Sequence, residues 1–577
     1  MLDSPCVTTS TEIAPTKSRK ELAARIGWLV LVCATLYVCY FSHLGAIGFV
    51  GPDEPRYAWI ARDMAETGDW VTPRLYGRPW FEKPPLYYWG AAICFKLFGV
   101  SETAARLPSA ISALLATLTM AWLAWRIYGA ETARWLLLLL PTTVGMIGFS
   151  HAAATDMPFT AMLTIAMVCA AALLGLVPDR SCRVGAQHSL DTARDKAAPV
   201  RGDEGITRRR WLALVLFGFF LGLAVLAKGP AGIILCGGAV FFWALFTKRW
   251  QDTIRLVHPA AIAAFCITAL PWYILCARRN PEFFRIFIIE HNFRRYLTPE
   301  FQHIQPVWFY IPILLVAFLP WTAGMLASLV DSRSRCSLNA FFLGCGLFPI
   351  LFFTMSRSKL PGYILPAVPP LAWLLVNTTQ ARLARQPHRN FVILAYAITF
   401  VLLAITVLRF AAGPGLGSDV GNPPWTTGIW LLPLLAGILG GALAAKHHAV
   451  PALCVLQVGV VLATWSLSLG LTWMDPQLSA RGVIAASRMN VEWLRSADVF
   501  VYDLPRGIHY GLNFYLGRDI SDWTPGSRGL VFSSWKGVSR LHAQGFVCRQ
   551  HLVFPAGILC QMPISLPIQA PGGGKAQ

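Results

Sequence analysis

The sequence predicts an all-α polytopic membrane protein of about thirteen transmembrane helices, followed by a small C-terminal α/β domain. Three observations carry this. Of 577 residues, 55% are hydrophobic and 14% charged, where a soluble domain carries roughly 25% charge. Apolar runs long enough to cross a bilayer recur to residue 473. Beyond that point the pattern changes to short β-type runs separated by turns.

Residues 1–25 are polar and basic, with Lys17, Arg19, Lys20 and Arg25, and read as a cytoplasmic N-terminus. The first span, 26–46, lacks a small-residue cleavage site and reads as an anchor, not a signal peptide. A first outer loop, 47–103, follows. Twelve further spans lie near 104–126, 133–150, 157–177, 211–227, 231–247, 258–276, 306–330, 338–354, 361–378, 391–410, 429–445 and 450–473, closing a transmembrane region at 26–473. The run 87–99 is short and contains Lys96 and Gly90, so it is expected to lie flat at the interface. With it flat, Arg126, Arg134, Arg208–Arg210, Lys248, Arg249 and Arg382 fall on the inside, as the positive-inside bias requires. The long loop 178–210 is then cytoplasmic. The 277–305 loop is outside, although it carries Arg278, Arg279, Arg285, Arg294 and Arg295. That outer cationic surplus suits an anionic lipid substrate.

In the tail, 474–577, ADVFVYDLP, RGLVFSSW and GFVCRQHLVF read as strands and 480–495 as a helix, forming a domain outside the membrane. Cys548 and Cys560 could pair there. Most other cysteines lie in apolar spans and act as small hydrophobes. The net charge of +20 is largely loop Lys and Arg, so it reflects topology and not nucleic-acid binding.

The chemistry concentrates in GPDEPRYA and FEKPPLYYW of the first loop. Asp53 fits a helix N-cap before a proline-started helix, and equally a carboxylate that orients or deprotonates an acceptor. Asp156, in HAAATDMPF, is a second boundary carboxylate on the same side and a candidate second acid. Glu82 and Lys83 sit before a Pro-Pro pair that fixes their direction; the bland alternative is an interfacial anchor. Arg56 and Tyr57, Lys228 in LAKGP, and Lys359 and Tyr363 in SKLPGYILP are candidate phosphate contacts, although snorkelling lysines at helix ends are common. Glu82, His291 and His303 are a candidate set for a divalent metal, at a spacing that matches no strong motif.

Together DEPRYA, FEKPPLYYW, ATDMP, LAKGP, EHNFRRY and SKLPGYILP resemble the GT-C membrane glycosyltransferases, and within them the aminoarabinose transferases acting on lipid A. The resemblance spans residues 51–366. It implies a GT-C-like fold, with the active site facing the periplasm of the bacterial inner membrane. It implies a donor of 4-amino-4-deoxy-L-arabinose on undecaprenyl phosphate and a lipid A (lipopolysaccharide) phosphate as acceptor, the modification behind polymyxin resistance. Lys83, one of Arg294 and Arg295, and Tyr363 would hold the carrier phosphate, with Asp53 and Asp156 near the anomeric carbon. Single displacement with inversion is expected; a divalent metal is the one cofactor the residues leave open. Gly362 departs from the commoner SKLPTY form. Two rival readings stand: another polyprenyl-phosphate sugar transferase of the protein O-mannosyltransferase kind, and a lipid or sugar transporter. Transporters place polar residues near mid-membrane, often in repeats; here they gather at one rim.

Overall fold

The computed structural model describes residues 19–177, 208–294, 304–330, 337–384, 389–412, 431–487, 489–546, 549–554 and 557–561. Among them, seven helices are long and apolar enough to cross a bilayer alone: Glu21–Tyr40, Glu102–Tyr128, Asp156–Leu173, Arg210–Lys228, Pro259–Arg279, Ser337–Met355 and Ala449–Thr472. The predicted single spans 133–150 and 306–330 are instead bent pairs. Ala130–Leu139 meets Val144–Ser150 at 64°, and Val307–Ala317 meets Thr322–Val330 at 118°. Pro141 and Pro320 lie in the two breaks, where each lacks the N–H that would continue the helix. Shorter apolar helices Ala231–Thr247, Val392–Thr406 and Leu431–Ala445 occupy further predicted span positions.

Asp156–Leu173 is the hub of the bundle, with 83% of its apolar window buried in protein against 11% for Glu21–Tyr40. Small residues allow the closest approaches. A Cβ on Gly218 would sit 2.0 Å from the Ala261 carbonyl oxygen, so that Arg208–Lys228 and Pro259–Arg279 pack backbone to backbone there.

The segment 47–103 is more structured than its sequence suggests. Arg74–Leu75 and Arg78–Pro79 pair antiparallel around Tyr76 and Gly77, both at positive φ (52° and 76°). That is the backbone of a two-residue hairpin turn. Leu86–Phe98 is a 13-residue helix, roughly 20 Å long at 1.5 Å per residue, too short to span about 30 Å of hydrocarbon. It buries Tyr87, Tyr88, Ala91, Ala92 and Phe95.

Near the C-terminus, Val499–Tyr502 pairs parallel with Leu530–Ser533. Gly557–Gln561, a strand the sequence did not reveal, separates Leu530–Ser533 from Arg549–Phe554 with antiparallel pairing on both sides. The expected helix at 480–495 is two helices, Ala480–Ala486 and Val491–Ser496. Asn490 interrupts it by capping the second, its side chain accepting the Glu492 N–H at 2.8 Å. Cys560 is disulfide-bonded. Cys548 lies outside the described residues, as does nearly all of the 178–210 loop.

Candidate active site at one rim of the bundle

Gly51, at φ 68°, turns the chain into the Asp53–Thr67 helix. The cap position belongs to Pro52, and no side chain caps the helix. The N-cap reading of Asp53 is therefore wrong: its carboxylate, in the first turn, is ion-paired with Arg56. Arg56 gathers the cluster. Its Nε donates to the Pro52 carbonyl at 2.9 Å, and its Nη1 to Glu82 Oε2 at 3.0 Å. Lys83 Nζ lies 3.8 Å from the other oxygen of Glu82. The Arg56 guanidinium also faces three rings, Tyr57 at 5.9 Å, Trp80 at 5.6 Å and Tyr510 at 5.3 Å. Burial pulls this guanidinium down, but Glu82 and Asp53 outweigh it and hold it above its ordinary value. Asp53 is the open edge of the cluster, 47% exposed where Arg56 is 12% and Glu82 9%.

Tyr57 is buried, 5.7 Å from the Tyr88 ring and 6.1 Å from Tyr87. Burial, with the Glu82 and Asp53 charges, pushes its phenol well up. It is a protonated packing residue beneath Arg56 and not an accessible phosphate contact.

A second cluster forms around Asp156, at the start of the hub helix. Its carboxylate is ion-paired with Lys228. Lys228 Nζ sits 4.8 Å from the Tyr363 ring and 5.5 Å from Phe159. The structure thus makes Lys228 the partner of Asp156. Gly362 permits this arrangement, since a Cβ there would lie 2.6 Å from Asp156 Oδ1. Lys359 is buried and donates to the Gln305 carbonyl at 3.1 Å, beside the bridge of Ser358 to Ile304. It fastens two segments together.

Glu54 and Arg106 connect the clusters. Arg106 Nε and Nη2 reach the Glu54 carboxylate at 3.0 and 2.7 Å, and its other N–H groups reach the carbonyls of Leu44, Ile47 and Gly48. Glu54 also accepts the Ala153 N–H at 2.7 Å, three residues before Asp156. A buried carboxylate with this many donors is well satisfied. The C-terminal end of the Pro259–Arg279 helix and the residues after it join the same rim. Arg279 pairs with Asp69 at 3.1 Å, Trp272 Nε1 donates to the Val71 carbonyl at 2.9 Å, and Phe81 meets Phe283 edge-on at 5.2 Å.

Asp53, Arg56, Glu82 and Lys83 therefore come together, as do Asp156, Lys228 and Tyr363. Arg294 is exposed at the end of a π-helical stretch, Arg285–Arg294. Arg295 and His303 lie outside the described residues. Among the described residues no three His, Cys, Asp or Glu side chains gather as metal ligands. Glu82 already faces two cations, which disfavours a dication beside it; the candidate set of Glu82, His291 and His303 extends beyond the described residues. Sequence reasoning missed Arg106, Asp69 and Tyr510. An arginine inside an apolar span could have flagged Arg106; nothing local marks Tyr510.

The profile of the family described as dolichyl-phosphate-mannose-protein mannosyltransferase matches residues 26–179 and 199–287. The chain is 28% identical over 522 residues, 85% of its length, to the undecaprenyl phosphate-alpha-4-amino-4-deoxy-L-arabinose arabinosyl transferase of Edwardsiella ictaluri, covering 88% of that protein. It is 31% identical over 366 residues to the transferase of the same name from Pseudomonas aeruginosa strain UCBPP-PA14, covering 63% of this chain and 61% of that protein. Its fold matches the crystal structure of ArnT from Cupriavidus metallidurans bound to undecaprenyl phosphate, with a TM-score of 0.72 and 24% identity, over 92% of this chain and 98% of that one. The apolar helices and this fold define a multi-pass membrane protein. In fold and in sequence the chain is similar to ArnT.

Proposed function

We propose that this chain is a glycosyltransferase that moves 4-amino-4-deoxy-L-arabinose from undecaprenyl phosphate to a phosphate of lipid A, at the periplasmic face of the bacterial inner membrane. Thirteen spans and a periplasmic α/β domain at 474–577 complete the topology. The observation that carries the reading is the gathering of the Arg56–Glu82–Lys83 and Asp156–Lys228–Tyr363 clusters at one rim, in a chain whose relatives bear that name over most of their length.

In this reading Lys83, oriented by Glu82, receives the carrier phosphate, with Arg294 and Tyr363 contributing. An acceptor phosphate oxygen attacks the anomeric carbon, the bond to the carrier oxygen breaks, and its electron pair stays on the carrier phosphate. The acceptor loses one negative charge and the carrier gains one, so no proton must move. Lys83 stabilises the charge that develops on the leaving group. Asp53 and Asp156 each lean on a cation, Arg56 and Lys228. That suits holding an amino sugar better than acting as a covalent nucleophile, and it favours single displacement with inversion.

The test is expression in a polymyxin-sensitive Gram-negative strain lacking its own aminoarabinose transferase, with lipid A weighed by mass spectrometry. One added aminopentose is expected, and Lys83→Ala should lower transfer by about 10²–10³-fold. An equally active Lys83→Ala variant would sink the phosphate-site assignment. The mannosyltransferase profile favours one second reading, transfer from a polyprenyl phosphate to a hydroxyl. Asp53 would then be a general base, and Asp53→Asn would abolish turnover instead of slowing it.

A further inference from the structure

We propose that the C-terminal tail supplies a positioning residue to the active site: Tyr510, whose ring closes the aromatic enclosure that holds Arg56 between Asp53 and Glu82. The inference rests on the reading of this rim as a glycosyl-transfer site.

The tail helix Arg506–Leu516 lies against the start of the Asp53–Thr67 helix, and one face of it makes the contact. A Cβ on Gly507 would sit 2.9 Å from the Gly51 carbonyl carbon, so glycine is what lets the two backbones touch two residues before Asp53. One turn later Tyr510 places its ring 5.3 Å from the Arg56 guanidinium, nearer than Trp80 or Tyr57. One turn further, Phe514 packs edge-on to Phe49 at 4.8 Å, and Tyr515 accepts the Phe49 N–H at 3.0 Å. The i, i+3, i+7, i+8 spacing makes this one continuous face.

Arg56 is the shared partner of Asp53 and Glu82. A guanidinium is a flat fork, and a ring over its face fixes the plane in which its N–H groups point. Trp80 and Tyr57 belong to the first loop itself, whereas Tyr510 arrives from the tail. The tail is thus part of the wall of the site. Tyr510 acts through Arg56 on Asp53 and Glu82, and through Glu82 on Lys83.

The test uses the full-length chain and two substitutions that separate ring from helix position. Tyr510→Leu removes the ring. Gly507→Val pushes the helix away from Gly51 and leaves Tyr510 intact. Both should lower kcat for transfer to lipid A by about tenfold, with donor KM changing less. Tyr510→Phe, which keeps the ring, should retain most of the rate. Independently of turnover, Arg56 should be labelled faster by phenylglyoxal, read by peptide mass spectrometry, in the first two variants than in the wild type or Tyr510→Phe. Wild-type rates and labelling in both Tyr510→Leu and Gly507→Val would overturn the proposal, as would equal losses in Tyr510→Phe and Tyr510→Leu. A wild-type chain that transfers nothing to lipid A, yet shows the labelling pattern, would refute the proposed reaction and leave the positioning of Arg56 by Tyr510 standing.

Discussion

At the scale of single residues, the site is set by which side chain each charge leans on. Asp156 and Lys228 lie on different helices, and the residue that lets them meet beside Tyr363 is one with no side chain. The hydrogen of Gly362 points at Asp156 Oδ1, where a Cβ would be 2.6 Å away, and at the Phe149 ring, where it would be 2.9 Å away. The carboxylate is held by Lys228 and the Phe149 ring is rigid, so Gly362→Ala must displace the carboxylate. A misplacement of about 1 Å can cost up to about 10²-fold in rate. We expect Gly362→Ala, and more so Gly362→Thr, to lower kcat by between tenfold and that limit, with little change in detergent melting temperature. A kinetic comparison of purified variants checks it; an unaffected Gly362→Thr would show that Asp156 has room to move without consequence. The departure at Gly362 was legible in the sequence, but its meaning was not. The motif gives the residue type, whereas the clash depends on a carboxylate some two hundred positions away.

At the scale of elements, the segment 47–103 behaves as a built platform. The Arg74–Pro79 hairpin delivers Trp80 and Glu82 to Arg56, and Asp69 joins the hairpin to the C-terminal end of the Pro259–Arg279 helix. Asp69 accepts from the Val71 and Thr72 N–H groups, from Arg74 at 2.7 Å and from Arg279 at 3.1 Å. Burial opposes its ionisation, but these donors prevail and hold its carboxyl below the ordinary value. A depressed folded-state pKa gives stability that is present above the unfolded value, about 3.9, and lost as pH falls through the folded value. Melting in detergent should therefore show a loss on acidification below about pH 4 that is smaller in Asp69→Asn; identical pH profiles would remove Asp69 from the platform. The helices of this region were legible because hydrophobic spacing and prolines are local signals. The hairpin was not, because Tyr76 at positive φ gives no turn signal of its own. The two bent spans show the same limit: a proline marks a break, while its angle is set by what packs around it.

At the scale of the whole molecule, the tail was the part to which sequence reasoning could give no task, since its contacts join residues as far as 466 positions apart. The structure gives it one anchor beyond the Tyr510 helix. Asp475, at the end of the last long helix, accepts the Gly48 N–H at 2.7 Å and Arg481 Nε at 2.9 Å. Arg481 continues to the Gly45 and Ala46 carbonyls and to Glu102 at 3.1 Å. Tyr515 donates to the same Glu102 oxygen at 2.8 Å. One guanidinium thus ties the tail's first turn to the chain leaving the first span and to the start of the second. Arg481→Met would keep the packing volume and leave Asp475 and Glu102, 12% and 13% exposed, facing each other's charge without it. Breaking a buried pair this way costs about 3–5 kcal/mol. The partial exposure here and the remaining N–H and O–H donors place the expected loss at or below the lower end. The strain falls on the junction, so we expect faster limited proteolysis near residue 480 and a several-fold fall in transfer, while the helical bundle keeps its elution profile. Adding Asp475→Asn and Glu102→Gln should restore much of the resistance, because the uncompensated charges are then gone. If Arg481→Met is cleaved no faster than the parent, the helix carrying Tyr510 holds the tail by itself, and the roof of the site rests on Gly507, Phe514 and Tyr515 alone.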